Sequence, residues 1–378
     1  MERAELKALL RGVPGVETRG GTCFLCDPTW SAAERAQAEQ QMARPAERPD
    51  AGWLCVRTGG SAGAVKFARH DEATLSAAVD GFRRHFGFVR VNAIGVLPLF
   101  HVSGLMGWLR CATTGGLHFA ADWRQLEAGE FPRLRGDDPW MLSLVPTQLQ
   151  RLMASPQAVE WLRQFAVVFL GGGPVWPQLA DAAAAARVRV ALSYGLTETA
   201  AMVAAQRPED FLAGKRDVGL ALPHVQITTA ADGLLAIRGD AVFRGYFPAW
   251  RESREFVTED LGRIDSRGRI HVLGRRDALI ITGGRKVNPV DVEAALRASG
   301  EFTDVAVIGL PDAEWGEAVV AVFPAANRPP DPKRASAGLP RHERPKRFVP
   351  VEDWPRNAQG KINRDALREV VRRQERIW

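Results

Sequence analysis

Apolar residues fall in short runs through the first half of this chain, and most of the runs are closed by glycine or proline. Trp53 to Val56, Ala93 to Pro98, Leu142 to Val145 and Val167 to Leu170 have the length of buried strands and are too short for helices. Between them Thr74–Phe86, Thr147–Met153 and Trp176–Ala186 carry apolar positions at helical spacing. Strands alternating with helices predict an α/β fold with a mostly parallel sheet and ligands at the carboxyl ends of its strands. The first fifty residues predict a short helix, a strand-like Thr22–Cys26 and a polar helix. From Val218 to Val272 the pattern changes to short strands with turns, at Val225–Ile227, Leu234–Arg238 and Arg269–Val272, which predicts a small β subdomain. Beyond it come a helix at Val290–Ala298, strands at Val305–Ile308 and Ala318–Phe323, and a terminal helix from Asp365. These predict a compact α+β unit. The Pro-, Arg- and Ala-rich stretch Asn327–Pro345 predicts a surface loop. The expected division is therefore a large domain, 1–274, and a small C-terminal domain, 275–378. There are no internal repeats and no heptads.

Composition narrows the class. The 378 residues are 46% apolar and 25% charged, ordinary for a globular protein with ample chain for a large core. The net charge of +6 comes from scattered arginines without a basic block, so nucleic acid is not an expected partner. The start, Met1-Glu2-Arg3-Ala4-Glu5-Leu6, is charged and lacks the apolar core of a signal peptide. No apolar stretch reaches the length of a membrane span. A cytoplasmic protein is expected. Of the four cysteines, Cys23 and Cys26 form a C-x-x-C that could be a redox pair or half a zinc site. With no second pair and no histidine cluster nearby, the simpler expectation is reduced thiols.

Candidate chemistry is concentrated in a few runs. Lys361 lies in Pro355-Arg356-Asn357-Ala358-Gln359-Gly360-Lys361-Ile362-Asn363-Arg364, on turn-forming residues just before a helix. A lysine held on a turn can deliver one positive charge to a phosphate whose transition state spreads negative charge over its oxygens. Arg57-Thr58-Gly59-Gly60-Ser61-Ala62-Gly63-Ala64-Val65-Lys66 follows a predicted strand. Its glycines let backbone N–H groups converge on phosphate oxygens, and Thr58, Ser61 and Lys66 add donors, but it is not a Walker A sequence. His101 closes the apolar stretch Pro98-Leu99-Phe100, and could be a core histidine or line a pocket. Arg110, amid Trp108, Leu109 and Cys111, either holds an anion or snorkels to the surface. Gly171, Gly172 and Gly173 end another strand, as a plain turn or as a bed for a flat ligand. In Ser193-Tyr194-Gly195-Leu196-Thr197-Glu198-Thr199, Tyr194 can stack on a purine and Thr197 can donate to a phosphate. Glu198 can hold Mg²⁺, which favours oxygen ligands shared with phosphates.

Together these runs resemble the acyl-adenylate-forming enzymes, which include acyl-CoA ligases, luciferases and peptide-synthetase adenylation domains. The Lys361 run is similar to P-(R/K)-x-x-x-G-K-(I/V)-x-R, the Tyr194 run matches Y-G-x-T-E, and the Gly59 run resembles T-S-G-(S/T)-T-G-x-P-K. The glycine loop departs from the family at Gly59, Ala62 and Val65, which stand where the family has Ser, Thr and Pro. Two lost hydroxyls would weaken triphosphate binding by about 1 kcal/mol for each hydrogen bond. Val257-Thr258-Glu259-Asp260-Leu261-Gly262 resembles T-G-D-x-G, with Glu259 in place of Gly. Gly274-Arg275-Arg276-Asp277 resembles G-R-x-D, and Thr282-Gly283-Gly284-Arg285-Lys286 resembles the glycine loop that opens the family's small domain.

The resemblance implies ATP, Mg²⁺ and CoA as the small molecules used, with a carboxylic acid as substrate. Thr58, Ser61, Gly63, Lys66, Gly171, Gly172, Gly173, Tyr194, Gly195, Thr197, Asp260 and Arg275 would bind the nucleotide, Asp260 through the ribose. Glu198 would hold the metal, Lys361 would be catalytic with Thr197 and Glu198, and His101, Arg110 and Ser193 would contact the acid. Gly283 and Gly284 would line the thiol tunnel, and Asp277 would be the hinge of a mobile small domain. A homodimer is often seen in the family. Members carry a longer stretch before the phosphate loop than is found here. Short members of this kind resemble the o-succinylbenzoate–CoA ligases of menaquinone and phylloquinone synthesis, as do Leu97–Leu105 and Ser143–Leu149. In that branch an arginine at the Arg110 position binds the free succinyl carboxylate. Other acyl- or aryl-CoA ligases, a carrier-protein loader and a nucleotide-binding homologue without turnover remain as alternatives.

Overall fold

The computed structural model describes residues 2–58, 65–136, 138–325, 329–355 and 362–375. The chain forms two compact units, one of Met1–Val175, Leu179–Thr258 and Gly262–Val272, the other of Trp176–Gln178, Glu259–Leu261 and Leu273–Trp378. The fold is mixed α/β, with several sheets and covering helices.

The chain opens with a four-stranded sheet in the order β1-β2-β3-β4, from Val16–Arg19, Thr22–Leu25, Leu54–Arg57 and Phe67–His70. β3 and β4 run antiparallel, Arg57 opposite Phe67. A seven-stranded sheet follows: β5 (Asn92–Gly95), β6 (His118–Ala120), β7 (Trp140–Leu144), β8 (Val167–Leu170), β9 (Val190–Leu196), β10 (Ala201–Ala205) and β11 (Leu220–Ala221). Its order is β11-β10-β9-β8-β7-β5-β6. Neighbours from β6 to β9 are parallel, whereas β10 and β11 are antiparallel additions. β8 is buried on both faces, as the unbroken run Val167-Val168-Phe169-Leu170 requires. From β5 the chain steps outward to β6 and then back across to β7, so the winding reverses there and opens a crevice at the carboxyl ends of the strands.

Two helices pack on this sheet and against each other. Glu72–Phe86 is capped by Asp71, whose side chain accepts from the Thr74 N–H, and ends at Gly87 in the left-handed region. It buries Leu75, Ala78, Val79 and Phe82, the spacing of one helical face. Val102–Thr114 starts directly after His101 and ends at Gly115. A further sheet, β12-β13-β14-β15, comprises Val225–Thr229, Leu234–Gly239, Glu255–Ile264 and Ile270–Arg275.

In the second unit β16 (Ile280–Thr282), β17 (Arg285–Val287), β18 (Ala306–Asp312), β19 (Gly316–Pro324) and β20 (Arg347–Val351) form one sheet. β18 and β19 pair antiparallel along their length, and β20 joins β19 in parallel. Helix Pro289–Ala298 covers a core of Val292, Leu296, Val305 and Val307, and helix Arg364–Glu375 contributes Leu367 and Val371 to a second.

The strand and helix positions agree with the sequence pattern, with three differences. The stretch from Pro98 to Leu105 does not close a strand; it starts a helix, because Gly104 sits against the backbone oxygens of Leu97 and Pro98, where a Cβ would lie 2.2 Å from the Pro98 oxygen. Thr258–Gly262, whose composition also suits a turn, lies within the ten-residue strand β14, with Thr258 and Asp260 buried on the same face. The Asn327–Pro345 stretch holds a short helix, Pro332–Ala335, capped by Asp331. All four cysteines are free and buried. Burial pushes the Cys26 thiol up to about 12, so it is protonated at pH 7. Among the described residues no group of three or more His, Cys, Asp or Glu is placed to hold a metal, and no helix is long and apolar enough to cross a membrane.

Candidate active site

The first unit builds its site where β9 ends. Leu196 leads into a single 3₁₀ turn, Thr197–Thr199, and the chain returns as β10 with Ala201 opposite Leu196. Ala200 and Ala201 both lie in the left-handed region, at φ 50° and 74°. Two alanines held there cost roughly 1–3 kcal/mol each and persist only where surrounding contacts impose the shape. Gly195 is required for the same reason: a Cβ there would lie 1.9 Å from the Ala201 carbonyl oxygen.

Two distant segments, joined to each other, impose that shape. The Thr197 carbonyl accepts a hydrogen bond from His70 Nε2 at 2.7 Å. A carbonyl can only accept, so the Nε2 of His70 carries the proton. Burial lowers the His70 pKa to about 4, and the ring is neutral at pH 7. Its neighbour Asp71 pairs with Arg244, Nε to Oδ2 at 2.7 Å. Arg244 brings its segment along: the Phe243 N–H donates to the Glu198 carbonyl at 2.8 Å, and the Tyr246 hydroxyl donates to Glu198 Oε1 at 2.7 Å.

Glu198 is thus a buried carboxylate, 9% exposed, with no ion pair recorded among the described residues. A buried carboxylate without a cation is costly. It fits a magnesium ion well, because Mg²⁺ takes one or two protein carboxylates and completes its shell with phosphate oxygens and water.

The remaining residues of this unit line the ends of neighbouring strands. At the end of β8, Gly172 has φ 78° and a Cβ on Gly171 would lie 2.7 Å from Ser193 Oγ, which itself donates to the Leu170 carbonyl. Gly171 and Ser193 therefore meet, whereas Gly173 lies nearest the Pro146 ring. Tyr194 is half-buried and packs against the apolar cluster of Val203, Ile237 and Phe243. The Thr58 N–H donates to the Lys66 carbonyl at 2.9 Å, so the two ends of the phosphate-loop run are joined. Ser61 and Gly63 lie outside the described residues. Lys66 Nζ sits 5.6 Å from the centroid of the Tyr246 ring.

His101 precedes the first turn of Val102–Thr114, its ring beside that of Phe100. Arg110 lies further along the same helix. It is 4% exposed, with its guanidinium 4.0 Å over the Phe82 ring, so it does not snorkel. Its Nε and Nη2 have no hydrogen-bond partner, and burial lowers its pKa to about 10. His224, also buried and lacking partners on both ring nitrogens, is lowered to about 4 by burial and by the charge of Arg110. The site at Arg110 has donors waiting for an acceptor.

The second unit carries its own set. Asp260 is buried, and Arg275 Nη1 approaches its Oδ1 at 3.9 Å. Arg275 also donates through Nε to Asp277 Oδ1 at 2.8 Å, which lowers the Asp277 pKa. Glu259, which stands where the family has Gly, forms a two-pronged pair with Arg276, both bonds 2.9 Å. Gly283 and Gly284 are the central residues of a two-residue hairpin between β16 and β17, both with positive φ, which alone accounts for the two glycines.

Lys361 lies outside the described residues; Pro355 before it and Asn363 and Arg364 after it are described. The Asn363 N–H donates to the Pro355 carbonyl at 3.0 Å. Arg364 Nη2 donates to Oε1 of the buried Glu293 at 2.6 Å, and the Val307 N–H donates to the same oxygen at 2.8 Å.

The sequence reading missed His70, Asp71, Arg244 and Tyr246. His70 is 127 residues from Thr197, and no local pattern reveals such a partner. Tyr246 carried one signal: the chain has only two tyrosines, and both lie near the Thr197–Thr199 turn.

Comparison with known proteins adds independent findings. The model of a family described as AMP-binding enzyme matches residues 3–247, and that of the AMP-binding enzyme C-terminal domain matches residues 291–361. A 2-succinylbenzoate–CoA ligase of Geobacillus kaustophilus is 30% identical over 307 residues, which cover 75% of this chain and 62% of that protein. A probable 2-succinylbenzoate–CoA ligase of Mycobacterium tuberculosis is 31% identical over 336 residues, 83% of each chain. The crystal structure of ATP-bound MatB from Rhodopseudomonas palustris is similar with a TM-score of 0.71 at 27% identity, over 84% of this chain and 67% of that one. The chain thus spans less than two thirds of the Geobacillus protein's length.

Proposed function

Because the chain belongs to the AMP-binding enzyme family, we propose that it is an ATP-dependent acid–thiol ligase acting on 2-succinylbenzoate. In the first half-reaction a carboxylate oxygen of the acid attacks the α-phosphorus of ATP. Its bond to phosphorus forms as the bond to pyrophosphate breaks, giving an acyl-adenylate. In the second, the thiol of CoA attacks the acyl carbon, AMP leaves, and the thiol proton passes to solvent. The products are the thioester, AMP and pyrophosphate.

The observation that carries this reading is the Thr197–Glu198 turn, strained and pinned from two segments, which sets a hydroxyl residue beside a buried carboxylate that has no ion pair among the described residues, at the end of β9. Thr197 and Lys361 would act on the phosphate whose charge rises as the bond forms, by positioning and electrostatic stabilisation and not as bases. Glu198 would hold Mg²⁺, which when bound offsets the charge of the departing pyrophosphate. Asp260 and Arg275 would take the ribose, and Gly171–Gly173 the adenine. Asp277, locked to Arg275, is where we place the turn that withdraws Lys361 between half-reactions and brings up Gly283 and Gly284.

The choice of acid rests on Arg110. A buried guanidinium with two unpartnered nitrogens needs an anion, and a substrate bearing a second carboxylate supplies one. Relatives named for 2-succinylbenzoate support the same choice. Pyrophosphate release with ATP, Mg²⁺ and 2-succinylbenzoate, with and without CoA, tests it. Release that accelerates with CoA and yields AMP and a thioester is the expected result. Release only with acids lacking a second carboxylate would move the assignment to another aryl- or acyl-CoA ligase. ATP binding without release would point to the altered phosphate loop and a protein that no longer turns over.

A further inference from the structure

Tyr246 makes two contacts that have no structural need of each other. Its hydroxyl donates to Glu198 Oε1 at 2.7 Å, and its ring lies 5.6 Å from Lys66 Nζ. Its backbone bridges Ala68 in β4, and its ring meets Phe243 edge-on at 4.9 Å, so the phenol has little freedom to turn. Nothing in the ligase reading assigns this residue a role.

The chemistry of the two neighbours suggests one. A carboxylate and an ammonium this near a common side chain would ordinarily close into an ion pair. Such a pair would use up the carboxylate needed by a divalent cation and the ammonium needed by a phosphate. The phenol prevents this in two ways. Its ring face, electron-rich, accepts the ammonium of Lys66. Its O–H occupies one carboxylate oxygen of Glu198 and fixes the plane of the group. Among the described residues no ion pair joins Lys66 or Glu198 to anything, although Glu198 is buried. Resting on the ligase reading, we infer that Tyr246 is a positioning residue that holds Glu198 and Lys66 apart and oriented, one for a divalent cation and the other for a phosphate of the nucleotide.

The test uses the full chain and α,β-methylene-ATP, a nucleotide that cannot be cleaved between its α- and β-phosphates, titrated by calorimetry with and without Mg²⁺. No turnover is involved. For the wild type Mg²⁺ tightens binding. For Tyr246→Phe, which keeps the ring and loses the hydroxyl, metal-free affinity stays within about twofold. The tightening by Mg²⁺ falls by about tenfold, the worth of one charge-assisted hydrogen bond. For Tyr246→Leu, which also removes the ring, metal-free affinity falls as well, because Lys66 is released. Glu198→Gln abolishes the Mg²⁺ effect, and adding Tyr246→Phe to it changes nothing further. A general loss of folding would lower affinity with and without metal equally, so the metal-specific loss separates positioning from scaffolding. Tyr246→Phe with a wild-type Mg²⁺ effect would overturn the inference and leave the ligase reading standing. A wild type that binds no nucleotide at all would overturn both.

Discussion

Removing the ion pair between Arg364 and Glu293 should loosen the start of helix Arg364–Glu375 within the second unit, three residues after Lys361. Arg364 is three residues beyond Lys361, and its Nη2 donates to Glu293 Oε1 at 2.6 Å. The Glu293 side chain is 4% exposed and that of Arg364 is 28% exposed. A hydrogen bond between charged groups is worth about 1.5–3 kcal/mol. Glu293 keeps two other contacts when Arg364 is lost, the Val307 N–H at 2.8 Å and Arg297 at 3.9 Å. That relief places Arg364→Met near the lower part of the range, at about 2 kcal/mol. Glu293→Gln leaves Arg364 able to reach water and costs less. The double variant should then be less damaged than the sum, with a coupling of about 2 kcal/mol. Native-state hydrogen exchange reads this locally: amides of β18 and of helix Arg364–Glu375 should exchange about thirtyfold faster in Arg364→Met. Adenylation should fall with it, while thioester formation from preformed acyl-adenylate is largely kept. Additive single variants, with coupling under about 0.5 kcal/mol, or equal loss of both half-reactions, would refute the idea that this pair holds the lysine segment in place.

Lys361→Ala should abolish pyrophosphate release and spare conversion of preformed acyl-adenylate to thioester; equal loss of both would remove the lysine from the first step. Arg110→Met should raise the melting temperature, because a buried unpaired charge gives way to an apolar chain of similar length, and should raise KM for 2-succinylbenzoate far more than for an acid with one carboxylate. Stability should also depend on pH through His70. Its folded pKa of about 4 lies below the ordinary 6.5, so the unfolded chain binds the proton more readily. The stabilisation is therefore complete above about pH 7 and is lost as pH falls from 6.5 towards 4, by up to about 3 kcal/mol. Urea midpoints across that range should show the slope, and His70→Asn, which retains an N–H donor, should flatten part of it.

The geometry of the candidate site was legible in the sequence wherever it is local. Tyr194 to Thr199 declares itself, because strand, turn and oxygen donors are contiguous and the glycine at 195 is forced by the return of the chain at Ala201. The support beneath it was not legible. Phe67-Ala68-Arg69-His70 has two charged or polar residues in four and does not read as a buried strand, yet every residue of it is buried. Arg69 tolerates that position by donating to five backbone carbonyls, those of Arg48, Ala51, Gly52, Pro248 and Ala249. Those acceptors come from two loops nearly two hundred residues apart in sequence, whose meeting no periodicity can reveal. The same staple explains how Tyr246 reaches Glu198: residues 245–249 are tied to β4 through Arg69, and this brings the tyrosine hydroxyl to the turn at Thr197–Thr199. A polar residue at a position that should be apolar was thus the one trace in the sequence of a contact the pattern could not supply, and the cost of burying Arg69 is the reason that contact must exist.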